Sequence, residues 1–70
     1  MKFEAGQLLE VHITVVAGER EFLYIILGQG ENPGFSLVYC LKSPRDMDVG
    51  RTFSMNDYVL SATGKVIDAV

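Results

Sequence analysis

The stretch LGQGENPGF, residues Leu27–Phe35, separates the two most apolar segments of this 70-residue chain. Gly28, Gly30 and Gly34 give it a G-x-G-x-x-x-G spacing, close to the glycine loops that cradle nucleotide phosphates. A phosphate loop of the P-loop or dinucleotide type needs a helix straight after it, because the helix N-terminus supplies the aligned N–H groups. Here the next residues are FSLVYCL (35–41), which read as a strand. No Lys-Ser/Thr pair stands directly after the last glycine, where a P-loop needs it, and no acidic residue on a βαβ unit is in place. A kinase-type glycine loop does join two strands, but it serves a far larger domain. Glu31 would also turn a negative charge toward a phosphate. The stretch is therefore a strand–strand connection whose glycines serve backbone geometry.

Working outward, both flanks are apolar on two faces. In EFLYIILG (21–28), Phe22, Tyr24 and Ile26 alternate with Leu23, Ile25 and Leu27. In the following strand, Phe35, Leu37, Tyr39 and Leu41 alternate with Ser36, Val38 and Cys40. A strand apolar on both sides is covered on both sides. QLLEVHITVV (7–16) is different, with Leu9, Val11, Ile13 and Val15 on one face and Glu10, His12 and Thr14 on the other. That is the pattern of a half-buried strand. AGER (17–20) is a polar break with Gly18, read as a hairpin turn.

KSPRDMDVG (42–50) is the longest polar connection, and Pro44 breaks a ladder there. RTFSM (51–55) alternates again. YVLSAT (58–63), Gly64 and KVIDAV (65–70) are expected to form two short strands around a glycine turn. The competing reading is a short helical turn near 57–63, with Asp57 as N-cap and Gly64 as terminator. The β-branched Val59 and Thr63 weigh toward strand. The expected fold is all-β: one domain spanning residues 1–70, a small barrel or meander of five to six short strands. OB-like and SH3-like barrels have this size.

Composition narrows the function classes. The single cysteine, Cys40, forbids an intrachain disulfide and fits a reducing, cytoplasmic setting. One Cys and one His, His12, cannot build a four-ligand zinc site within one chain. No metal or cofactor is expected. The two glutamates in the first ten residues interrupt any signal-peptide core, and no run approaches a membrane span. Neither a targeting segment nor a membrane partner is expected. Apolar residues make up 49% of so short a chain, which favours self-association.

The remaining candidate groups read mostly as structural. Asp46 and Asp48 in DMDVG lack the register of a calcium loop, since position 50 is Gly and position 57 is Asp. Ser36, Ser54, Ser61 and Cys40 stand in no nucleophile motif, and His12 reads as an exposed histidine on a polar strand face. Cys40 lies between Tyr39 and Leu41, a setting that raises a thiol pKa. No enzyme is expected.

Nucleic-acid binding is the alternative, through a patch of Tyr39, Lys42, Arg45, Arg51 and Phe53 around the long loop. The net charge of −3 opposes it. The leading expectation is a cytoplasmic, homo-oligomeric protein-binding module, a small regulator or inhibitor acting on a protein partner. A structural subunit of a larger assembly is a third reading. The expected interface is the second strand's Phe22, Tyr24 and Ile26, with Tyr24 outward because tyrosine tolerates partial exposure.

Overall fold

The computed structural model describes residues 3–68, apart from the side chain of Asp68. Its elements are β1 (Leu8–Val15), β2 (Gly18–Gln29), β3 (Phe35–Lys42), a 3-10 turn (Asp46–Asp48), β4 (Thr52–Asn56), α1 (Asp57–Thr63) and β5 (Gly64–Asp68). The strands form one antiparallel five-stranded sheet in the order β4-β3-β2-β1-β5. The first four make a meander, and β5 returns beside β1. The expected all-β class and strand count hold.

The opening stretch is a hairpin connection. The Gly30 N–H donates to the Phe35 carbonyl at 2.8 Å, and the Phe35 N–H donates to the Asn32 carbonyl at 3.1 Å. Gly34 closes the turn at φ +83°, in the left-handed region that side chains rarely enter. The loop also anchors the helix, since the Asp57 N–H donates to the Gly34 carbonyl at 2.8 Å.

Two local expectations are corrected. The first hairpin turns earlier than AGER: Val15 pairs with Gly18, so Val16 and Ala17 form a two-residue turn and Gly18–Arg20 belong to β2. The strand expected over 58–63 is the helix α1. Asn56 takes the N-cap role that the helical reading gave to Asp57, its side chain accepting from the Tyr58 N–H at 2.8 Å. Thr63 escapes the usual penalty of β-branching by donating its hydroxyl to the Val59 carbonyl at 2.7 Å. Gly64 ends the helix, with its N–H on the Leu60 carbonyl. A Cβ there would stand 2.5 Å from that oxygen and 3.1 Å from Leu9. Of the final strand, residues 69 and 70 lie outside the described residues.

One face of the sheet is enclosed. Leu9 and Val11 of β1, Tyr24 and Ile26 of β2, and Val38 and Cys40 of β3 are buried there with Leu60 of α1 and Phe3. Ile13, Phe22, Phe53 and Met55 pack against them. The Phe22 and Tyr24 rings stack at 5.9 Å. Leu60, wholly buried, is the plug by which the helix joins this core, a burial worth about 1.5–3 kcal/mol.

Candidate functional site

Because side chains alternate along a strand, the enclosed set leaves a second set pointing away from α1. Cross-strand pairing aligns Leu8 with Ile25, Ile25 with Tyr39 and Tyr39 with Thr52, a row across four strands. Leu37 lies one step toward one end of the row and Leu23 one step toward the other. Leu8, Leu23, Ile25, Leu37 and Tyr39 are all half-buried. Leu27, Leu41 and Ile67 are exposed by 42–45%. Helix α1 and Phe3 both pack on the opposite face. This outward face is the candidate site.

The interface expected on Phe22, Tyr24 and Ile26 falls on the enclosed face instead. Tyr24 is only 6% exposed and Ile26 1%. Burial pushes the Tyr24 hydroxyl pKa up to about 12. The physical reason is register: β1 buries Leu9 and Val11, whose partners across the hairpin are Tyr24 and Phe22. The outward residues of β2 are Leu23 and Ile25.

Toward the β1–β2 turn the outward face becomes charged. Glu10 stands two residues before His12 on β1, and Glu21 is paired with His12 across the hairpin. His12 Nε2 lies 2.6 Å from a Glu10 oxygen and Nδ1 lies 2.7 Å from Glu19. Glu21 is 3.7 Å from Nδ1 and 3.8 Å from Lys42 Nζ. Lys65 stands opposite Glu10 in the β1–β5 ladder. Hydrogen bonds to Glu10 and Glu19 raise the His12 pKa, and the bond to His12 lowers that of Glu10. A shallow cleft of about 130 Å³, lined by Glu10, Glu21, Phe22, Leu23, Lys42 and Ile67, joins this cluster to the apolar row. Among the described residues, His12, Glu19 and Glu21 are the group close enough to share a cation, with ligand atoms within 4.8 Å.

Sequence reasoning placed His12 with Glu10 on the polar face of the first strand but missed the cross-strand carboxylates of Glu19 and Glu21. The signal was present: Glu-x-His places two groups on one strand face, and a hairpin brings Glu19 and Glu21 alongside.

The residues of the alternative patch do not share one face of the sheet. Tyr39 pairs with Thr52 on the outward face, whereas Phe53 pairs with Val38 and packs on the core, so the two rings occupy opposite sides of the sheet. Lys42 faces Glu21, and Arg45 Nε lies 3.9 Å from Asp48. Arg51 is exposed.

Cys40 is fully buried, and desolvation raises its pKa. Ser36 is buried against Asp57, Ser54 accepts from the Glu31 N–H at 3.2 Å, and Ser61 is exposed on α1. Asp46 and Asp48 begin and end the 3-10 turn. No helix among the described residues is long and apolar enough to cross a membrane. Comparison with protein-family models, curated proteins and solved structures finds no significant match to this chain.

Proposed function

We propose that this chain is a non-enzymatic protein-binding module, a small regulator that self-associates through the outward face of its sheet. The observation that supports this reading is the half-buried apolar row of Leu8, Ile25 and Tyr39, flanked by Leu23 and Leu37, on the face opposite α1. An apolar patch running across several strands is the mark of an interaction surface. A second copy is the simplest cover. In a two-fold arrangement the same apolar patch meets itself, and the charged cluster stays at its margin. The partner on which such a regulator acts would engage the same face or displace one copy from it.

Sedimentation at micromolar concentration tests this. The wild-type chain is expected to form a dimer or larger closed oligomer, with a melting temperature that rises with concentration. Ile25→Glu, which sets a charge in the middle of the row, is expected to give a folded monomer. A wild-type chain that stays monomeric and melts independently of concentration would remove the reading.

A further inference from the structure

The His12 cluster holds more protons in its geometry than a neutral imidazole can supply. Both ring nitrogens stand at hydrogen-bonding distance from carboxylate oxygens, Nε2 from Glu10 and Nδ1 from Glu19. An ionised carboxylate only accepts, and a neutral imidazole carries a single N–H. Only the doubly protonated imidazolium donates to both. In that state it links β1 to β2, since Glu10 lies on β1 and Glu19 on β2.

The charges around the ring come from four strands. Glu10 shares β1 with His12, Glu19 and Glu21 face it from β2, Lys42 reaches Glu21 from β3, and Lys65 stands opposite Glu10 on β5. With His12 protonated, three cations balance three carboxylates. With His12 neutral, each copy carries one uncompensated negative charge at the end of the outward face, next to the cleft lined by Glu10, Glu21, Leu23 and Lys42.

We propose that His12 is a protonation-controlled clasp: as imidazolium it neutralises the acidic end of the outward face and favours association, and on losing its proton it sets the copies against each other. This inference rests on the interface reading above, because the clasp acts on that face. Even at the margin of a covered face the cluster loses part of its water, which makes an unbalanced carboxylate more costly in the oligomer than in the protomer. Association therefore takes up protons. Within the protomer, the sign of the clasp's own pH dependence follows from the shifts. The His12 pKa is raised from 6.5, so its stabilising contribution is complete below that value and is lost as pH climbs through the raised one. The Glu10 pKa is lowered from 4.5, so the same contact is lost again when pH falls through that lowered value. The clasp is closed between the two.

His12 is the only histidine, so its ring resonances can be followed without ambiguity by NMR. Their titration midpoint is expected above 6.5. Sedimentation at low salt, about one pH unit below and above that midpoint, should then show association weakening several-fold as pH rises. With one linked proton per copy, the dimerisation constant can change by at most about a hundredfold per pH unit. His12→Gln, which cannot become a cation, should associate with a constant that is flat over the same range. Association that ignores the midpoint, or an undiminished pH dependence in His12→Gln, would overturn the clasp while leaving the interface standing. A chain monomeric at every pH would end both.

Discussion

The Ser36 hydroxyl donates to the Asp57 carboxylate inside the core, tying the start of β3 to the first residue of α1. Both groups are buried, so neither can turn to water when the other is removed. Ser36→Ala removes one donor from the buried Asp57 carboxylate and is expected to cost about 1–3 kcal/mol. Urea unfolding checks this, as a lower midpoint with an unchanged slope. A loss below about 0.5 kcal/mol would mean that the remaining partners of Asp57 satisfy it alone.

Tyr24 and Ile25 are chain neighbours on opposite faces, and the same substitution should separate them. Tyr24→Glu puts a charge into the core and is expected to cost more than about 3 kcal/mol, enough to unfold a domain of this size. Ile25→Glu should keep the far-UV circular dichroism of the wild type. Equal damage at the two positions would contradict the face assignment.

The helix is bracketed by two residues whose replacement should act differently. Asn56→Ala removes the cap on the Tyr58 N–H and should lower stability by about 1 kcal/mol. Gly64→Ala drives a methyl toward the Leu60 carbonyl and Leu9, and about 1–3 kcal/mol is expected from the displacement. Both are read as shifts in thermal or urea midpoint. A neutral Gly64→Ala would show that β1 and α1 can part at that point without loss.

Single-stranded nucleic acid is expected not to bind measurably, even at low salt. Tyr39 and Phe53 offer no common platform, and Lys42 and Arg45 face carboxylates. Fluorescence anisotropy with a mixed-sequence oligonucleotide checks this. Binding whose salt slope falls by about one on Arg51→Glu would instead restore the nucleic-acid reading.

Much of the fold was legible because alternation is strong in β1 and the glycine stretch lacks every partner a phosphate loop requires. The helix was not. Val59 and Thr63 carry a strand preference, and what overrides it is tertiary: Leu60 fills the core, and the Gly34 carbonyl and the Asn56 side chain fix the first turn. The inward face of β2 was more accessible than the choice of Tyr24 as outward suggests. Side-chain identity said little, since both faces are apolar. A hairpin turn of two residues, or of the four in AGER, pairs the odd positions of β1 with the even positions of β2. Once Leu9 and Val11 are assigned to the core, Phe22, Tyr24 and Ile26 must follow. Register carried the information that composition lacked. The full His12 cluster was overlooked for the same reason, because Glu19 and Glu21 join Glu10 and His12 only when the two strands are laid side by side.

Three ladder irregularities leave residues with no opposite number: Leu27 on β2, Leu41 on β3 and Ile67 on β5. Between β2 and β3, a slip of one position would exchange one apolar face for another, a mistake that hydrophobicity alone scarcely penalises. The two irregularities in that ladder oppose the exchange. A slipped pairing would have to open both and form them again elsewhere, away from the Gly28 that follows Leu27. Leu27 and Leu41 thus pin to two fixed points an alignment that the apolar pattern of these strands, taken alone, leaves open to two.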